Sequence, residues 1–354
     1  MSNRTIPVRG LTEGAILAAL VALFTLAATY LPLAGIASTF VSPIPLTVLV
    51  VRRGIRVAVL AALVAAGLSA AIGGPLTGLT IVVTFAPLGI TLGAVLRARP
   101  SATAALLASA GVATLSILAN LAITVAISGF NPYTLMIQGM AQGQESAMAF
   151  YRGLGISPAQ IDQVSGAMRQ IIDLMPRLIP LLIAVGGLTV AYVNFEVARF
   201  VLRRFGMPAP ALPPISSWRA PAAFLWLLPL GLVLVTVASA AQRPLLLPGT
   251  TLRMLPPDDL AVIARGSATR LPALETAGLN LFILAQMMYG LLGVIAAWVL
   301  LERYGAPRWM RWLALFFLFT TPQLGIAVFF LGLADAAFDL RGRWRAARPV
   351  EASS

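Results

Sequence analysis

Nine apolar runs divide this chain, at roughly 12–34, 36–51, 57–73, 77–96, 101–128, 178–198, 221–241, 277–301 and 312–334, and nearly all of its charge falls in the gaps between them. A hydrocarbon core of about 30 Å takes about 20 helical residues to cross. Most of the runs are near or above that length. The remaining one, 36–51, is shorter, carries Pro43 and Pro45, and is the weakest crossing. The expected fold is all-α: a polytopic transmembrane helical bundle of about eight to nine membrane segments.

Composition points the same way. Hydrophobic residues make up 59% of the chain and charged residues 10%, against about a quarter charged in an ordinary globular protein. The mean hydropathy is +0.91. A surface built from this sequence would precipitate in water, so the expected location is a cell membrane, crossed many times. The first run is long, lacks a small-residue cleavage pattern after it and is followed by further spans, so it reads as a retained helix.

The chain contains no cysteine and no histidine, and all 25 of its cationic side chains are arginine. Disulfides, thiolate catalysis, imidazole proton shuttles and N/S metal sites are therefore excluded together. Without lysine there is neither a P-loop lysine nor a Schiff base. No paired carboxylates or nucleophile–base couple stand at membrane depth. The expectations are no catalytic residue, no metal, no cofactor and no enzyme activity, with any ATP hydrolysis left to another chain.

The net charge of +13 reads as topology, not as nucleic-acid binding. With the N-terminus in the cytoplasm and sides alternating, fourteen arginines fall in inner gaps, from Arg4 through Arg52, Arg53, Arg97 and Arg199 to Arg311, and seven fall outside. A cytoplasmic tail with Arg341, Arg343, Arg345 and Arg348 brings the inner set to eighteen. This is the positive-inside asymmetry, with anionic lipid headgroups as the natural contact. The last run strains the count, because Thr320-Thr321-Pro322-Gln323-Leu324-Gly325 sets a breaker in its middle. It is either a kinked crossing or two half-helices that enter and return where protein covers the freed backbone; an inside C-terminus fits the second, and a crossing that breaks differently near Pro43 would restore parity equally well.

Two gaps are too long to be turns, and both fall outside in this topology. In 129–176, Ser157-Pro158-Ala159-Gln160 forms a helix start, and Ile161, Val164, Met168, Ile171, Ile172 and Met175 recur at helical spacing. An amphipathic helical hairpin follows, either a lid whose Met136, Met140 and Tyr151 adapt to a ligand or a cover for helix ends. In 242–276, Pro256-Pro257-Asp258-Asp259 places two acids in the first turn of a helix ended by Gly266, a structural capping role. The expected organisation is a six-segment core over 1–202 that includes the hairpin, a Pro/Arg-rich inner linker over 203–220, further membrane segments over 221–340, and a basic cytoplasmic tail over 341–354.

Inside the runs, strong polar side chains are few: Asn120, Asn194 with Glu196, and Gln286, besides scattered Ser and Thr. Glu196 stands three residues before Arg199 and pairs with it locally. Asn120 and Gln286 are interhelical hydrogen-bonding groups or ligand contacts. Gly14, Ala18 and Ala22 share one face of the first run, with Ala15 and Ala19 on the next, where another helix, internal or foreign, can come close.

The opening Leu11-Thr12-Glu13-Gly14-Ala15, the Pro43-Ile44-Pro45 run leading to Arg52-Arg53-Gly54, and the closing Gly332-Leu333-Ala334-Asp335 through Phe338-Asp339-Leu340-Arg341 resemble the YybS-like family of predicted bacterial membrane proteins. The first six runs also resemble the S component of energy-coupling factor (ECF) transporters. That second resemblance implies a membrane-embedded subunit that captures a small nutrient and works with a T subunit and cytoplasmic ATPases. It also implies subunit docking through Ala15 with Ala19, or Ala18 with Ala22. The ligand would sit near the outer side, with Asn120, Gln286, Met136, Met140 and Tyr151 as candidate contacts. A membrane scaffold that moves no solute is the alternative function.

Overall fold

The structure, a computed structural model, describes residues 8–31, 34–98, 101–207, 209–241 and 272–346. They are helical, with no strand among the described residues. The chain divides into two compact units, Met1–Leu212 and Pro213–Ser354. Among the described residues seven helices are long and apolar enough to cross a membrane, and a bent pair at the C-terminal end makes an eighth candidate. The gap 242–271, with the helix expected at Pro256–Gly266, lies outside the described residues.

The first unit contains α1 (Val8–Tyr30), α2 (Ala34–Val41), α3 (Pro43–Arg53), α4 (Ile55–Gly73), α5 (Pro75–Ala98), α6 (Ala102–Ser128), α7 (Pro132–Gly153) and α8 (Pro158–Arg204). Contacts at the helix ends fix their directions. Arg52 and Arg53, at the end of α3, place Nε 2.7 and 2.6 Å from the two carboxylate oxygens of Glu13 near the start of α1. Arg97, at the end of α5, donates from Nη1 to Val50 O at 2.9 Å, and Arg52 lies over the Phe205 ring just past α8. At the opposite end, the Tyr30 hydroxyl donates to Ile72 O, and Gly35 lies beside Ala28. Six segments therefore alternate, and one end of the unit gathers the arginines.

The weak run at 36–51 forms α2 and α3, too short to cross singly but running beside α1 from the level of Ala28 to that of Glu13. Proline explains both the break and its tolerance. Pro43 has no N–H for the carbonyl of Thr39 four residues back, and Asn194 Nδ2 donates to that carbonyl at 3.3 Å. All eight residues from Pro43 to Val50 are buried. Lipid gives helices no hydrophobic reason to associate, so small residues at close approaches carry the packing. Gly89 and Gly93 of α5 meet the Pro43 carbonyl and Val50, where a methyl group would stand 2.5 and 2.6 Å from its nearest neighbour.

α8 differs from expectation. The amphipathic helix from Ser157 and the run at 178–198 are one helix of 47 residues that continues through Pro176 and Pro180. At 1.5 Å per residue it is about 70 Å long, more than twice the hydrocarbon core. The α7–α8 hairpin extends from the bundle rather than lying across its mouth. Gln144 joins its two arms by donating to Ser165 O at 3.0 Å, and Met148 and Ile161 are buried between them. Val164 and Ile171 are exposed.

The second unit contains α9 (Leu227–Ala241), α10 (Pro272–Arg303), α11 (Arg308–Thr320), α12 (Pro322–Phe338) and α13 (Leu340–Ala346). α9 and α10 are antiparallel, with Gly231 against Gly278 and Phe282. Gly293 and Gly332 bring α10 and α12 to backbone contact. The pair α11–α12 is bent by 108° at the Thr321-Pro322 breaker. Arg303 at the end of α10 donates to Trp344 O just beyond α12, so the pair enters the unit and returns to the end from which it started. Arg341, expected in a solvated tail, is 4% exposed and belongs to α13.

Candidate functional site

Away from the arginine end, polar groups of the first unit gather between the arms of the α7–α8 hairpin, in a charged surface pocket around Gln144, Glu145, Arg152, Asp162 and Arg169, and again, without charge, within the bundle. A cavity of about 280 Å³ is lined by Thr39 of α2, Thr80, Thr84 and Phe85 of α5, Ile117, Asn120, Leu121 and Thr124 of α6, and Pro132 and Tyr133 at the base of α7. Thr84 is nine residues from the start of α5 and Asn120 eight from the end of α6, which sets both about 12 to 14 Å in from that end.

Local sequence explains how each wall is made. Residues Ile81–Phe85 form a π turn, in which the Ala86 N–H reaches back five residues to Ile81 O. Pro87 follows; it cannot donate to Val83, and its ring would meet that carbonyl in a regular α-helix. The widened turn that results carries Thr84 and Phe85 to the cavity. Across from it, Asn120 Nδ2 donates to Thr84 Oγ1 at 3.3 Å. The roof follows from Gly129, which ends α6 at φ +73° with its N–H on Val125 O, and from Asn131, whose Oδ1 accepts the Tyr133 N–H at 2.9 Å.

Of the sequence candidates, Asn120 is in this cavity and the others are elsewhere. Met136, Met140 and Tyr151 are 42%, 37% and 36% exposed on the hairpin and do not line the cavity, which takes its α7 contribution from Pro132 and Tyr133. Gln286 is exposed on α10 in the second unit. On α1, Ala18 and Ala22 are buried in the core against α4, whereas Ala15 and Ala19 are exposed. Glu196 and Arg199 pair at 3.0 Å. Thr39, Thr80, Thr84 and Thr124 went unselected because a threonine in an apolar helix ordinarily satisfies its hydroxyl on the preceding turn; Pro87, inside the 77–96 run, was the available signal.

A larger groove of about 730 Å³ runs between α1, α3 and α8, lined by Ile16, Leu20, Phe24, Val48 and Val201 among others. Its polar groups are Thr12 and the Glu13–Arg52–Arg53 cluster at the arginine end. Such a surface suits hydrocarbon. The smaller cavity, with hydroxyl and amide groups facing an aromatic ring, has the mixed lining of a small-molecule site.

The chain is similar to the uncharacterized protein YybS of Bacillus subtilis (strain 168), with 26% identity over 218 residues, which covers 60% of this chain and 68% of that one. No solved structure matches it. Residues 19–247, which hold the whole cavity, match the family described as predicted membrane protein (DUF2232), and the chain belongs to that family of multi-pass membrane proteins.

Proposed function

We propose that this protein is a non-catalytic, membrane-embedded subunit that captures a small solute, in the manner of the S component of an ECF transporter, with a separate T subunit and cytoplasmic ATPases supplying the energy. The observation that carries this reading is the cavity between α2, α5, α6 and the base of α7. It lies toward the end of the bundle opposite the arginines, and its polar lining holds Thr, Asn and Tyr without a carboxylate or a base. Such groups bind and orient; general acid–base or nucleophilic chemistry needs others. With the arginine end in the cytoplasm, the cavity faces the outer side, where a nutrient arrives.

Ala15 and Ala19, exposed on α1, provide a small-residue face for a T subunit, and anionic lipid meets the arginine end. The experiment is ligand-dependent thermal stabilisation of the purified protein across a panel of vitamins, bases and amino acids. Stabilisation that follows mass action, without product formation, supports capture. Its absence across the panel favours a scaffold that moves no solute.

A further inference from the structure

The chemistry of the cavity also bears on the charge of its occupant. Resting on the capture reading, we infer that the ligand is an uncharged small molecule that pairs hydrogen-bond donors and acceptors with a flat apolar body. Every element that lines the cavity is free of charge around it. Residues 34–51, 75–96, 101–128 and 129–144 contain no Asp, Glu, Lys or Arg. The nearest charged residues on the lining helices are Arg97, twelve residues beyond Phe85, and Glu145, twelve beyond Tyr133, or about 18 Å along a helix. Asp173 and Arg177 of α8, which packs on α6, are not among the lining residues. A carboxylate or ammonium held here would be without a counter-charge at membrane depth, a costly arrangement.

The neutral groups are, by contrast, unspent. Thr39 and Thr80 donate their hydroxyls to Gly35 O and Leu76 O, so they offer a ligand only lone pairs. Thr84 Oγ1 accepts from Asn120, which leaves its own O–H to give. Among the described residues, Asn120 Oδ1, the Thr124 hydroxyl and the Tyr133 hydroxyl make no hydrogen bond. The site therefore offers three hydroxyl donors, one amide donor and one amide acceptor, beside Phe85, Ile117 and Leu121. A lactam, amide or hydroxyl-bearing ring satisfies this set, and about 280 Å³ accommodates a single small ring system.

The test uses the full chain in nanodiscs and matched pairs of probes that differ in charge: nicotinamide and nicotinate, uracil and orotate, pyridoxine and pyridoxamine. Affinity is measured for wild type, Thr84→Trp, which fills the cavity, and Asn120→Ala and Thr124→Val, which only trim it. The expected result is at least one neutral member bound tenfold or more tightly than its charged partner, with Asn120→Ala and Thr124→Val each weakening it several-fold. A charged member bound as tightly, and weakened by the same variants, overturns the inference about charge and leaves capture standing. No binding by any pair, or binding that all three variants leave unchanged, overturns both.

Discussion

Asp335 and Arg341 form a buried ion pair, with side chains 3% and 5% exposed and Nη2 2.7 Å from Oδ2, that ties the end of α12 to the segment entering the second unit. Arg341 also donates from Nη2 to Trp218 O at 2.6 Å and from Nη1 to Ser216 O, while its backbone N–H reaches Asp335 Oδ1. The left-handed conformation of Asp339, φ +50°, reverses the chain so that a residue six positions on can face back. Removing one partner leaves the other charge buried and unpaired, which costs about 3–5 kcal/mol. Asp335→Ala or Arg341→Ala should lower the resistance of the second unit to unfolding in mixed micelles by that amount. Arg219→Gln, which removes the exposed Arg219–Asp339 pair, should change it by less than about 1 kcal/mol.

That pair also shows what one sequence discloses and what it withholds. The helices were legible because hydropathy at membrane length admits little else. Asn120 was legible because a lone amide in an apolar run needs a partner. Arg341 was read as a solvated tail charge, since its partner lies across an αL break that nothing short of the folded chain brings together. The outer gap at 129–176 and the apolar run at 178–198 stood apart in hydropathy, yet α8 runs through both, past Pro176 and Pro180. Pro87 passed as an ordinary residue of an apolar run, although it sits just after the π turn that presents Thr84 and Phe85. The carbonyl of Thr39, which Pro43 frees, is met by Asn194, 155 residues away, a contact that no local pattern discloses.

The glycines that let α3 approach α5 should resist enlargement. Gly89→Leu and Gly93→Val put side-chain atoms against the Pro43 carbonyl and Val50, and overpacking of this kind costs about 1–3 kcal/mol. Gly67 on α4 has open space at its Cβ, so Gly67→Ala should be neutral or raise stability by up to about 1 kcal/mol. Denaturation midpoints in detergent measure all three.

The two small-residue faces of α1 should separate cleanly. Ala18→Trp, at a position 0% exposed, should destabilise the first unit. Ala15→Trp and Ala19→Trp, at exposed positions, should leave the fold intact and reduce co-purification with an ECF-type T subunit several-fold. Folded variants that retain the T subunit in full would remove this face from the docking account.

Orientation is accessible because the chain is free of cysteine. With the arginine end inside, Ser146→Cys on the exposed hairpin should react with an impermeant maleimide in intact cells, and Phe205→Cys at the arginine end should react only after lysis. The reverse pattern would turn the bundle over.

The most direct measurement of capture is mass spectrometry of the small molecules released on denaturing protein that has been incubated with a defined panel of vitamins and bases, then desalted, for wild type beside Thr84→Trp. At least one compound should be retained by wild type in stoichiometric amount and lost from a folded Thr84→Trp variant, with none chemically altered. Identical release from the two proteins, or release of nothing by either, would contradict capture.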